Sequence, residues 1–131
     1  MGQPAAKQGD QVVATDTHIV MIPSPGGPVP TPLPHPFVGQ LDGSLSDDVN
    51  IEGKPAAVQG STATNTPSHI PQGGPFQKPP SNKGTVQLGS NTVLINDKPA
   101  ARNGDKVMTC NDPADLPVGT VVAVGTVLIG G

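Results

Sequence analysis

Aromatic residues are nearly missing from this sequence of 131 residues, which has no tryptophan, no tyrosine and only two phenylalanines. Its interior must therefore be filled mainly by valine, isoleucine and leucine. Small scaffolds in this position commonly add a disulfide, a metal or a partner. The single cysteine excludes a disulfide within the chain, so a metal and a partner remain open.

Charge is also scarce, at 13% of residues with a formal net charge of −3. The sequence offers no basic patch, and we expect no nucleic-acid partner. The N-terminus lacks the basic start and apolar core of a signal peptide. The longest apolar segment, 118–131, is shorter than the roughly 20 residues of a membrane span, so we expect no stable membrane anchor.

Glycine and proline are abundant, with 17 residues of each. Convincing helical periodicity is absent, whereas short Val/Ile/Leu/Thr runs bounded by turn residues predict an all-β fold. Two proline-rich segments, 23–36 and 71–80, are expected to be extended without a regular hydrogen-bond ladder. The predicted strands are 11–15, 18–22, 48–52, 85–89, 92–96, 106–109 and 120–129.

An internal repeat organises the chain. Pro-Ala-Ala occurs three times, and each copy is followed three residues later by glycine and then by aspartate or serine. The repeat residues are Pro4, Ala5 and Ala6; Pro55, Ala56 and Ala57; and Pro99, Ala100 and Ala101, followed by Arg102.

The strand that should precede the first copy lies at the other end of the chain. VNIEGK (49–54) and VLINDK (93–98) lead into the second and third copies, and VLIGG (127–131) has the same register. We therefore expect adjacent termini and a closed, approximately three-fold ring. The prediction is a single domain, 1–131, with units at about 1–22, 48–70 and 92–110 and a closing strand at 120–131.

The repeat also brings metal-binding residue types to similar places. His18 and His69 each lie nine residues after the repeat glycine, and Cys110 lies six residues after it. His35, in the first proline-rich segment, can supply a fourth donor. Three imidazoles and one thiolate suit a closed, structural Zn²⁺ site. Solvated histidines and a buried, unreactive cysteine remain the alternative.

With these repeats the sequence resembles the PAAR-repeat family, which is named for the Pro-Ala-Ala-Arg that stands unaltered at 99–102. The other two copies depart from the motif at the fourth place, with Lys7 and Val58. The resemblance implies a small β cone with pseudo-three-fold symmetry. It also implies one structural zinc per chain, held by His18, His35, His69 and Cys110.

The resemblance further implies a role at the tip of a bacterial type VI secretion or related contractile injection system. One chain, monomeric when free, would cap a trimeric valine-glycine-repeat spike and help to pierce membranes. It would be made in the bacterial cytoplasm and exported on the apparatus. The repeats span the chain, so we expect a bare tip without an effector extension and without enzymatic activity.

Two other functions compete with this interpretation. A zinc-dependent hydrolase would leave the fourth position of a three-histidine site open for water, but no obvious general base accompanies the histidines, and Asp16 alone is weak evidence for one. An unfolded proline-rich adaptor would explain the composition but not the register of the repeat.

Overall fold

The computed structural model describes residues 2–130, and its regular elements within that range are β-strands. No helix in this range is long and apolar enough to cross a membrane. The strands are β1 (Gln3–Pro4), β2 (Gln11–Ile22), β3 (Val29–Gly43), β4 (Asn50–Ile51), β5 (Lys54–Pro55), β6 (Thr62–Asn65), β7 (Lys83–Val86), β8 (Leu94–Ile95), β9 (Lys98–Pro99), β10 (Lys106–Thr109), β11 (Leu116–Val122) and β12 (Leu128–Ile129).

The three Pro-Ala-Ala copies meet in a ring of backbone hydrogen bonds. Ala6 N–H donates to Ala101 O, Ala101 N–H to Ala57 O, and Ala57 N–H to Ala6 O, each at 3.0 Å. All three alanines are fully buried, so little room remains for a larger side chain. The ring gives the chain its approximate three-fold axis.

A tight turn follows each copy and explains the glycine of the repeat. Gly9, Gly60 and Gly104 have φ angles of 90°, 94° and 90°, which lie in the left-handed region that glycine adopts without a steric penalty. The residue after each glycine then caps the turn. The Asp10, Ser61 and Asp105 side chains accept hydrogen bonds from the backbone N–H groups of Lys7, Val58 and Arg102 at 3.0, 2.9 and 2.7 Å.

Short hairpins precede the second and third copies, as the sequence predicts. β4 pairs with β5 and β8 pairs with β9. Their turn residues have positive φ angles, at 52° and 82° for Glu52-Gly53 and at 51° and 65° for Asn96-Asp97. These are the angles of a type I′ turn, which suits the twist of a two-stranded hairpin.

The two ends of the chain lie together, which confirms the expected closure. β12 pairs with β1, with Ile129 opposite Gln3 and Leu128 opposite Pro4. Ala5 N–H then donates to Val127 O at 2.9 Å. Met1 and Gly131, which belong to the predicted first unit and closing strand, lie outside the described residues.

Beyond the ring the chain forms a closed antiparallel barrel with the order β10-β11-β2-β3-β6-β7. The hairpin of β2 and β3 is much the longest, pairing from Gln11–Gln40 to Ile22–Val29. β11 pairs with β2 only as far as Val13. Residues 14–22 therefore continue past this contact for roughly 30 Å, at about 3.4 Å per residue, and the molecule narrows toward the hairpin turn.

The expectation that 23–36 forms no regular ladder is wrong from residue 29 onward, because β3 pairs with β2 along its length. In an antiparallel pair only alternate residues exchange hydrogen bonds with a given neighbour. The N–H groups of Thr17 and Ile19 point away from β3, donating to the side chains of Asn111 and Asp112. The β3 residues that pair with these alternate positions of β2 therefore need no N–H directed toward β2. They are Pro30, Pro32, Pro34 and Pro36.

Other predicted strand boundaries also differ from the structure. The predicted strands 11–15 and 18–22 are one continuous strand, and 120–129 is divided between β11 and β12. β6 lies in a Thr/Asn-rich stretch for which the sequence predicts no strand. The second proline-rich segment runs along β2, with Met21 N–H donating to Pro75 O at 2.8 Å.

Two apolar clusters occupy the interior of the protein. The base cluster places Ile51, Ile95 and Ile129, at equivalent positions of the three units, around Ala5, Ala56 and Ala100. The barrel cluster combines alanines with larger apolar side chains, which are four valines, one leucine and one phenylalanine: Val12, Phe37, Leu41, Val86, Val107 and Val121. The candidate metal donors lie beyond Phe37, on the far side of the barrel from the ring.

Candidate metal centre

The long hairpin presents alternate side chains to the interior. Asp16 and His18 are two residues apart on β2 and are 0% and 1% exposed. His35 and Phe37 follow the same alternation on β3, and Asp16 pairs with His35 across the ladder. Because side chains two residues apart share one face of a strand, the hairpin brings all four to the same side.

His69 comes from the segment between β6 and β7 and is held by two asparagines. Its backbone N–H donates to Asn82 Oδ1 at 2.8 Å, and its Nδ1 lies 3.2 Å from Asn65 Nδ2. Asn65 Oδ1 accepts the Val38 N–H at 2.9 Å, which turns the amide nitrogen toward the ring. His69 Nε2 consequently donates to Asp16 Oδ2 at 2.8 Å, and an ion bound at Nε2 must replace this hydrogen bond.

Cys110 follows β10 and is buried beside the histidines. Its Sγ lies 3.6 Å from His18 Nε2 and 3.4 Å from Asp16 Oδ2. Burial raises the pKa of the Cys110 thiol to about 11, and the Asp16 carboxylate adds to this effect. Without a metal the sulfur therefore stays protonated at neutral pH, and metal binding must displace that proton.

The other nitrogen of His18 faces a second carboxylate. His18 Nδ1 lies 3.6 Å from Asp112 Oδ2, and it has no hydrogen-bond partner in the described part of the chain. Burial lowers the pKa of His18, followed in size by the effect of the neighbouring His69 ring. The resulting neutral imidazole is the form that binds a metal, and a carboxylate behind it is a common outer-shell partner.

His35 lies beside this group without belonging to its tightest part. Its ring centroid is 5.5 Å from those of both His18 and His69. His35 Nδ1 lies 3.0 Å from Leu33 O. A hydrogen bond to that carbonyl places the proton on Nδ1 and leaves Nε2 with a free lone pair.

The donor set fits a small divalent ion. The ligand atoms of Asp16, His18, His69 and Cys110 all lie within 4.8 Å of one another. A tetrahedral zinc with ordinary bond lengths separates its nitrogen and sulfur ligands by about 3.5 Å, close to the 3.6 Å between Cys110 Sγ and His18 Nε2. This buried cluster can therefore bind a metal ion.

The sequence pattern predicts three of these four residues as metal ligands, whereas it gives only weak evidence for Asp16, as a general base. The available signal was the i, i+2 spacing of Asp16 and His18 in a β-rich segment, which places both on one face of a strand. Asp112 gave no such signal, because its position behind His18 depends on how separate segments pack. The four-residue zinc set that includes His35 remains a prediction.

Comparison with known proteins adds one finding. No curated protein matches the chain, but the family model described as PAAR motif matches residues 77–131. The matched range contains the Pro-Ala-Ala-Arg copy, Cys110 and the closing strand. Together with the closed three-unit β structure, this match supports a PAAR-repeat protein.

Proposed function

We propose that one copy of this chain caps the end of a trimeric valine-glycine-repeat spike in a contractile injection system. The PAAR motif indicates a spike-tip role in type VI secretion-like systems. The observation that carries the finer proposal is the ring in which three copies of one motif close around an axis. A monomer with this pseudo-symmetry can contact all three subunits of a trimer through similar surfaces.

The base offers apolar side chains for such a contact. Leu94 and Leu128 occupy equivalent positions in two of the three two-stranded sheets, and each is 60% exposed. Val124, in the closing segment, is 73% exposed. Exposed apolar side chains on one side of a small domain favour a protein interface.

The narrow end supports a mechanical role in membrane piercing. The long hairpin gains stiffness from prolines at alternate positions, since each proline fixes its own φ and lowers the entropy lost on ordering. A metal beneath this hairpin adds folding free energy where little aromatic surface is available for burial. We therefore propose a tip without enzymatic activity, carried out of the producing cell on the spike.

We propose zinc as the metal, one ion per chain, with His18, His35, His69 and Cys110 as its protein ligands. The close approach of Cys110 Sγ to His18 Nε2 supports a closed structural site, because the sulfur lies where a catalytic site would keep water. This geometry favours a structural site over the alternative of a zinc hydrolase.

Native mass spectrometry of the chain mixed with a purified trimeric spike tests the capping proposal. We expect a complex of one chain with one trimer. A double variant, Leu94→Asp with Leu128→Asp, should weaken the complex, whereas Val29→Asp near the narrow end is the matched control. No association, or three chains per trimer, would contradict the proposal.

Metal analysis of the purified protein tests the zinc proposal separately. We expect one zinc per chain in the wild type and less in Cys110→Ser. A wild-type protein that retains no zinc after gel filtration would contradict it while leaving the spike complex open to direct measurement. Fractionation of producing cells, with and without a working injection apparatus, tests the proposed export.

A further inference from the structure

Asp16 is a buried carboxylate whose basic neighbour in the described structure is a histidine, not a lysine or arginine. It is 0% exposed, and no lysine or arginine nitrogen lies within 4.0 Å of it among residues 2–130. Its contacts are with His69 Nε2 at 2.8 Å, Thr109 Oγ1 at 2.5 Å and Cys110 Sγ at 3.4 Å. Burying a carboxylate is costly unless a cation compensates it, so this position calls for a positive charge.

The thiolate and imidazole donors around Asp16 do not by themselves determine whether the bound ion is monovalent or divalent. Thiolate and imidazole bind Zn²⁺ well, but thiolate is equally a ligand for monovalent copper(I). A negative charge in contact with the donors changes this balance, because its attraction to an ion is proportional to the charge of the ion. Asp16 therefore stabilises a bound divalent ion more than a bound monovalent ion.

We propose that Asp16 sets the charge preference of this centre and favours a divalent ion, such as zinc, over copper(I). The inference rests on the proposed metal centre and extends it to a residue outside the four predicted ligands. Asp112 is the second buried carboxylate of the region, but it faces His18 Nδ1 from behind at 3.6 Å and accepts the Ile19 N–H. Of the two, Asp16 is the one that contacts the predicted ligand atoms directly.

The test compares the affinities of the wild-type chain and Asp16→Asn for Zn²⁺ and copper(I), by competition with chelators at one fixed pH. Residues next to metal ligands typically contribute about 10–100-fold to affinity, and we expect a zinc loss of this size in Asp16→Asn. The copper(I) loss should be smaller, so the ratio of zinc to copper(I) affinity should fall by at least about threefold, a margin set by the doubled charge of zinc.

Thr109→Val is the matched control, because it removes the hydrogen bond to Asp16 Oδ1 and leaves the carboxylate in place. We expect it to leave the ratio of the two affinities unchanged. The cobalt(II) charge-transfer band from the Cys110 thiolate provides a separate check that each variant keeps its donor set, and Asp112→Asn serves as a second comparison if Asp16→Asn folds poorly, with a smaller fall in the ratio expected.

Equal losses for both ions in Asp16→Asn would overturn the charge preference while leaving the metal centre intact. A fall in the ratio for Asp112→Asn as large as that for Asp16→Asn would also overturn it. If the wild-type chain binds neither ion, the metal centre itself is wrong and this inference is overturned with it. Binding of the chain to the spike trimer is measured separately, so none of these outcomes is confused with a failure of the capping proposal.

Discussion

Phe37→Ala should remove a large part of the stability of this protein. Phe37 is 0% exposed and is the only aromatic residue of the barrel cluster. A Cβ atom added at Gly39 would lie 2.9 Å from the Phe37 ring, and one added at Gly84 would lie 3.4 Å from it. The ring thus fills space that the two glycines leave open, and its loss creates a cavity between the strands.

The expected magnitude follows from the buried area. A buried phenylalanine covers about 150–250 Å², which corresponds to about 4–6 kcal/mol at ~25 cal/mol per Å². Measured Phe→Ala substitutions in protein cores cost about 3–5 kcal/mol. Total stabilities of single domains are about 5–15 kcal/mol, so we expect the free energy of unfolding to fall by about a fifth or more.

Urea denaturation with zinc in fixed excess measures this loss for Phe37→Ala. Phe76→Ala is the matched control, since Phe76 is partly exposed and lies in the second proline-rich segment. The control should cost clearly less. A loss below about 1.5 kcal/mol for Phe37→Ala, the upper range of a tolerated core change, or an equal loss for the two variants, would refute the role assigned to the ring.

Three further predictions concern the ladder, the closure and pH. Leu33→Pro should destabilise the protein by about 1–3 kcal/mol in the same assay, because it removes an N–H that faces β2 and leaves the opposite carbonyl without its partner, whereas Pro34→Ala should stay within about 0.5 kcal/mol; equal effects would contradict the register. Lys7→Met should cost about 1.5–3 kcal/mol and speed amide exchange in β12, because Lys7 Nζ donates to Val124 O at 2.8 Å; unchanged exchange rates would contradict a role in closure. Burial lowers the pKa of His18 below its ordinary 6.5, so the unfolded chain binds this proton more readily than the folded chain does. The contribution of His18 to the stability of the metal-free protein should therefore be fully present above about pH 6.5. Below that pH the free energy of unfolding should fall by at most about 1.4 kcal/mol per pH unit for this group. Chemical denaturation of chelator-treated protein at several pH values checks this, and an identical slope in His18→Gln would assign the effect to other groups.

The sequence by itself determined the repeat, its turns and its closure. These features are local. A left-handed glycine, an acceptor side chain after it and a short apolar strand before it each require particular residue types, which recur at a fixed spacing in the sequence. Three copies of this pattern, one of them with its strand at the C-terminus, are enough to predict a ring with adjacent chain ends. The pairing of β12 with β1 confirms that prediction.

Only the tertiary structure decided how β3 pairs and what surrounds the metal donors. Seven prolines in fourteen residues count against a strand by composition alone, because composition does not show which way each missing N–H would point. The register of β3 on β2 decides this, and it places the four prolines of β3 within this segment where no hydrogen bond to β2 is made. Asp16 joins His69 and Cys110 only because three segments distant in sequence pack together, and long-range packing of this kind leaves no mark at a fixed spacing in the chain.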